Sequence, residues 1–255
     1  MNIIAKFEQI RAIFAASSEP MPLILDLMRV KRANYRAECR GISFEIQANT
    51  HEWYTIYENV IREDYFSDGI SLSEGDTVID IGANFGSFAV LASKKVGRTG
   101  RVIAFEPNPD VCERLKHNVA INALSNIDVR NEAVCGQDGE IVLLLQERSS
   151  LTTMFSNIDQ RESNDVRPFT VKAAGIVTIL RSLDRPVALL KIDCEGAEYD
   201  IFAALDRDTM KNVRQIAMEL HTIDGHSDRE IVDKLTDFGF IVSNKYPMLF
   251  ASRPN

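Results

Sequence analysis

The chain has 255 residues, 45% of them apolar and 26% charged, which suffices for one well-buried soluble domain with or without a small appendage. Its formal net charge is −8 and its basic residues are scattered, with Arg29 to Arg32 the densest cluster, so the basic face that a nucleic-acid partner requires is missing. No apolar run approaches the roughly 20 residues that cross a bilayer, and Lys6, Glu8, Gln9 and Arg11 break up the start; a cytoplasmic protein with no membrane partner is expected.

Ile3, Ile4, Phe7, Ile10, Ile13 and Phe14 follow helical spacing, which Pro20 and Pro22 interrupt. Tyr35 to Gln47 alternates like a short hairpin around Gly41, and the aromatic stretch from Glu52 to Phe66 returns to helical intervals. These elements make a cap over residues 1–70. From Glu74 onward a β-rich run, a turn and an amphipathic helix recur. Strands are expected at Thr77–Ile81, Arg101–Phe105, Ile127–Asn131, Val187–Ile192 and Val213–Leu220, with helices after Phe85, Pro109, Glu195 and Ser227. A final hairpin turns at Asn244 to Tyr246. The sum is a doubly wound, mostly parallel α/β sheet of seven strands over residues 71–255, behind an N-terminal α+β cap. Arg148 to Phe169 is polar and without periodicity, which reads as a lid or as disorder. Cys39, Cys112, Cys135 and Cys194 sit too far apart for a C-x-x-C pair and read as buried, reduced thiols.

In such a sheet, ligands meet the residues just beyond the strands. After the first strand stands Asp-Ile-Gly-Ala-Asn-Phe-Gly, Asp80 to Gly86. Gly82 and Gly86 permit tight turns or the approach of a ligand to the main chain, and Asp80 is placed to meet an amino group. Glu106 follows the second strand, 24 positions after Gly82, where nucleotide-binding folds carry the acid that accepts ribose hydroxyls. Asn84 occupies the place of the second glycine of a dinucleotide site, which suits a nucleoside without phosphate better than NAD(P).

The glycine turn, "AFEPNP" and "KIDCEGAE" together closely resemble the FkbM family of S-adenosylmethionine-dependent methyltransferases, over the chain from about Tyr35 onward. The resemblance implies a class I methyltransferase fold and methylation of hydroxyl oxygens on polyketides, sugars and other secondary metabolites. It implies that Asp80, Gly82, Ala83, Asn84 and Gly86 form the methionine end of the cofactor site and Glu106 its ribose end. Glu132 and Ala133 then stand where such folds cover the adenine, although Asn131 is equally placed.

Chemistry falls to the later strands. Asp193 ends the fourth strand, while Glu195 and Glu198 are explained equally well as acids at a helix N-terminus. Glu219 and His221, two apart, share one side of an extended strand. An alcohol needs a base, and His221 is the first candidate with Asp193 second. Asp193, Glu195, Glu219 and His221 are also ligand types for magnesium or manganese, a reading held below the simple base. Trp53, Tyr54, Tyr57, Tyr65 and Phe66 either line an acceptor pocket for a small molecule or glycan or pack the cap. A nicotinamide-dependent oxidoreductase and a non-catalytic nucleotide-binding module are the competing functional classes.

Overall fold

The computed structural model describes residues 3–146, 152–153 and 166–254. The opening apolar spacing becomes α1 (Ile3–Ala16), and α2 (Met21–Leu27) carries Pro22 in its first turn, where no intrahelical N–H is lost. Only part of the apolar stripe is covered: Ile13 is buried, but Phe7 and Phe14 are 70% and 56% exposed. The alternating stretch is an antiparallel hairpin, β1 (Tyr35–Cys39) and β2 (Ile42–Ile46). The aromatic stretch coils through α3 (Glu52–Ile56), a π-helical turn over Tyr57–Arg62 and a 3-10 turn over Asp64–Phe66.

The repeating pattern then gives β3 (Thr77–Ile81), α4 (Ser87–Val96), β4 (Arg101–Phe105), α5 (Pro109–Ile121) and β5 (Ile127–Arg130). Asn108 starts α5 by accepting the N–H groups of Asp110 and Val111. A second sheet follows that the pattern did not announce: β6 (Ala133–Cys135), β7 (Gly139–Gln146), β8 (Thr152–Thr153) and β9 (Val166–Gly175), ordered β6-β9-β7-β8. The winding resumes with α6 (Ile176–Arg181), β10 (Val187–Ile192), α7 (Glu198–Ala204), the short α8 (Arg207–Met210), β11 (Gln215–Glu219) and α9 (Asp228–Asp237). It closes on the hairpin β12 (Ile241–Lys245) and β13 (Met248–Ser252).

Seven strands form the main sheet in the order β12-β13-β11-β10-β3-β4-β5, parallel except for β13, which runs antiparallel to both neighbours. Every residue of β3 and β10 is buried, as expected of central strands covered by helices on both faces. The chain winds from β3 outward through β4 to β5, then returns to place β10 on the other side of β3. The direction of winding reverses there, and the crevice opens at those carboxyl ends.

The small sheet corrects one expectation. Within 148–169, residues 148–151 and 154–165 lie outside the described residues, but Val166 to Phe169 belong to β9, which pairs along β7 from Gly139↔Ala173 to Gln146↔Val166. β7 carries five consecutive apolar residues, Ile141 to Leu145, so the alternation that marks a half-buried strand is absent from its sequence.

The N-terminal elements are tied to the sheet layer by named bonds. Asn118 of α5 accepts the N–H of Glu45 at 2.8 Å and donates to the carbonyl of Phe85 at 2.9 Å, while Phe44 and Ile46 share a core with Ile13, Val60, Phe85 and Val90.

At the switch point the ends of β3 and β10 touch backbone to backbone. The N–H of Asp193 donates to Ile81 O at 3.0 Å, and a Cβ added to Gly82, which has a φ of +73°, would fall 1.7 Å from Asp193 O. Glycine is required here by the fold itself. Gly82→Ala is expected to destabilise the protein by roughly 3 kcal/mol or more, read as a lowered urea midpoint; an unchanged midpoint would refute this packing account.

Candidate active site

A cleft open to solvent lies beyond the ends of β3, β4 and β10. Gly82, Asn84, Glu106, Glu132 and Ala133, all expected at a cofactor, line it together with Asp193, Cys194 and Glu195. Asp80, Ala83 and Gly86 are not among its walls. A Cβ on Gly86 would meet Leu115 at 2.3 Å, so that glycine lets α5 pack against the start of α4.

Glu106 is 6% exposed, and its two oxygens are each claimed once: Oε2 accepts the N–H of Asn84 and Oε1 that of Asn108, both at 2.9 Å. Burial pushes its pKa up to about 7, against the pull of these two N–H groups. Each oxygen retains a lone pair, so the carboxylate can still accept from a pair of hydroxyls such as those of a ribose. Asn84 takes the left-handed conformation, at φ +51°, and its Oδ1 accepts from Phe85 N at 2.8 Å. The turn around Glu106 is closed by Asn131, whose Nδ2 donates to the carbonyls of Glu106 and Pro107. Glu132 forms an ion pair with Lys172.

Asp80 is engaged with a residue that sequence reasoning passed over. Lys191, the penultimate residue of β10 and 2% exposed, places Nζ 3.1 Å from Asp80 Oδ1 and 3.6 Å from Asp193 Oδ2. The contact with Asp80 is an ion pair by distance but lies outside hydrogen-bonding angles, and neither Asp80 oxygen accepts a hydrogen bond among the described residues. Lys191 instead donates to Gly82 O at 2.9 Å, with the ring centres of Tyr65 and Phe88 5.3 Å and 5.9 Å away. Burial opposes its charge, but the two carboxylates prevail and raise its pKa. A charged residue inside the apolar run "VALLKI" was the available signal.

Beyond Asp193 the rim is crowded as expected. Asp193 Oδ2 accepts the hydroxyl of Tyr65 at 2.9 Å, and its Oδ1 lies 4.0 Å from His221 Nε2. Glu195 Oε2 is 3.5 Å from the same nitrogen. The other ring nitrogen, Nδ1, sits 2.8 Å from Oε1 of Glu198, a fully buried side chain. Burial pulls the imidazole down, but the Glu198 hydrogen bond and the charges of Glu198, Glu195 and Asp193 carry its pKa up to about 9. Glu219, at the end of β11, is pushed up to about 6 by burial and then by Asp193. One ligand-type atom each from Asp193, Glu195 and His221 lies within 4.8 Å of the others. The Lys191 ammonium already supplies positive charge beside Asp193, which works against a divalent ion there.

Of the aromatic residues, Tyr65 alone bonds to Asp193; Phe66 stacks on Phe88, and Trp53 and Tyr54 pack edge to face on each other and line a separate groove with Asp26 and Arg29.

Residues 80–242 match the Methyltransferase FkbM domain. The chain belongs to that family. Among curated relatives, the AMB antimetabolite synthetase AmbE of Pseudomonas aeruginosa is 26% identical over 76% of this chain and 11% of its own length. The 31-O-demethyl-FK506 methyltransferase FkbM of Streptomyces tacrolimicus is 25% identical over 80% of this chain and 87% of its own. The hexuronic acid methyltransferase AglP of Haloferax volcanii is 26% identical over 58% and 57%. The chain thus spans about a tenth of AmbE, just over half of AglP and most of the Streptomyces enzyme. The family is one of S-adenosylmethionine-dependent methyltransferases, and the cleft is compatible with that donor: Glu106, when ionised, only accepts hydrogen bonds, and Gly82 and Asn84 line the same opening. No helix among the described residues is long and apolar enough to cross a membrane.

Removing one partner of a buried ion pair leaves the other uncompensated. Lys191→Met is therefore expected to cost about 3–5 kcal/mol in urea unfolding, and Lys191→Met combined with Asp80→Asn less than that. A single variant as stable as the wild type would show that the pair is not what holds these strand ends.

Proposed function

We propose that this FkbM-domain protein is an O-methyltransferase whose acceptor is a hydroxyl on a small molecule, sugar or polyketide. The observation that carries the reading is His221 Nε2, turned toward Asp193 and Glu195, which line the cofactor cleft. The names of two relatives point the same way, one recording an O-methyl position and the other a hexuronic acid.

In this reading Glu106 holds the ribose hydroxyls, Gly82 and Asn84 face the methionine portion, and Glu132 and Ala133 border the adenine. Asp80 and Gly86 act from behind the cleft, through Lys191 and through helix packing. S-adenosylmethionine supplies a methyl group already activated on a sulfonium. The protein's own task is to align the acceptor and accept its proton. The acceptor hydroxyl would give its proton to His221 Nε2 and use the freed oxygen pair for the new carbon–oxygen bond, the methyl's bond to sulfur breaking with its electron pair left on the departing thioether. Residues 1–70 act as a cap that reaches this rim through Tyr65, whose hydroxyl holds Asp193.

Two measurements test the reading. In calorimetry, Glu106→Ala is expected to weaken S-adenosylhomocysteine binding about tenfold or more, while His221→Ala leaves it within twofold and lowers kcat by roughly 10²-fold. Binding indifferent to Glu106, or full turnover without His221, would overturn the respective assignment. The base works deprotonated, and its pKa is raised to about 9, so kcat/KM is expected to climb with pH, levelling only above about 9. A plateau from pH 7 upward would mean that another group takes the proton.

A further inference from the structure

We infer that Glu198 is a positioning residue for His221, holding the imidazole with its proton on Nδ1 and so presenting Nε2 to the acceptor. The inference rests on the base assigned above but is carried by separate contacts.

An acid in the first turn of a helix ordinarily stays at the surface, where it interacts with the free N–H groups in water. Glu198 does otherwise. Its side chain is 0% exposed, and a carboxylate is left that deep only when something specific engages it. The partners are few: Oε1 lies 2.8 Å from His221 Nδ1 and accepts the N–H of Cys194 at 3.3 Å, while Oε2 has no hydrogen-bond partner among the described residues. An ionised carboxylate only accepts, so the hydrogen in the contact with His221 belongs to Nδ1. In the neutral ring, which forms as the pH rises toward 9, that leaves Nε2 with its lone pair free, facing Glu195 Oε2 at 3.5 Å and Asp193 Oδ1 at 4.0 Å.

The next residue completes the grip. The hydroxyl of Tyr199 donates to the carbonyl of His221 at 3.3 Å, so the first two residues of α7 hold both the ring and the main chain of a residue in the loop after β11. The groups around the ring come from every side: Glu198 from α7, Asp193 and Glu195 from the turn after β10, Glu219 from β11, and Lys191 through Asp193. Among the described residues, only Glu198 bonds to Nδ1. A base whose other nitrogen is fixed by a buried carboxylate is confined to one tautomer and one orientation.

The test compares Glu198→Gln and Glu198→Ala with wild type, following the His221 ring nitrogens by ¹⁵N NMR, with the signal assigned by its loss in His221→Asn. Glutamine preserves the shape and an acceptor oxygen; alanine removes both. In Glu198→Ala the neutral His221 is expected to lose its Nδ1–H preference, and kcat to fall roughly 10–100-fold, with the acceptor KM and S-adenosylhomocysteine affinity within about twofold. Glu198→Gln is expected to fall between. A folded Glu198→Ala with wild-type nitrogen shifts and kcat overturns the inference. Should the alanine variant fail to fold, wild-type shifts and kcat in Glu198→Gln do the same. A fully active His221→Ala alongside a tautomer change in Glu198→Ala overturns the base assignment alone and leaves the positioning contact standing.

Discussion

The site depends on a buried cation between two strand ends. Lys191 sits inside the sheet where β3 and β10 meet, paired with Asp80 on one strand and Asp193 at the end of the other, and it donates to the carbonyl of Gly82. Burying one ammonium or one carboxylate alone is costly, so each of these groups makes the others tolerable. The consequence is geometric. The two loops that flank the cleft, one reaching toward Glu106 through the N–H of Asn84 and one carrying Asp193 and Glu195, cannot drift apart without exposing an unpaired charge.

From that anchor the two halves of the site face different tasks. The β3–β4 side offers a buried acceptor, Glu106, whose remaining lone pairs suit hydroxyl groups. The β10–β11 side gathers four carboxylates, Asp193, Glu195, Glu198 and Glu219, and a histidine; Glu198, Glu195 and Asp193 raise the pKa of the histidine against the pull of burial, and burial followed by Asp193 raises that of Glu219. Tyr65 links the N-terminal elements to the second side, because its hydroxyl holds the Asp193 oxygen nearest Lys191.

Much of this was legible in the sequence because the doubly wound sheet writes itself as a repeat. β3, β4 and β10 fall on the expected residues, and the closing hairpin lies at the sheet edge, because apolar runs of five or six residues between helical segments have few other meanings. The β6–β9 sheet was not legible: its longest strand is uniformly apolar at its centre, and its partner lies some 20 residues further along the chain. Site residues divide in the same way. Glu106 and His221 are marked by their place after a strand, whereas Glu198 looked like an ordinary acid at a helix start. Its burial, and the histidine 23 positions later that uses it, arise only when the start of α7 meets the loop after β11. Asp80 shows the same limit in its buried partner. Its position was right for a ligand, but the lysine that claims it stands on another strand.

The claim that this geometry serves transfer to oxygen is tested most directly with S-adenosylmethionine carrying a ¹³C-labelled methyl group. The full protein would be incubated with a panel of hydroxylated and aminated small molecules and sugars, and the product carbon followed by NMR. The account predicts a new methoxy carbon that depends on His221. A labelled methyl delivered to nitrogen or carbon, with no methoxy signal across acceptors that turn over, would contradict it.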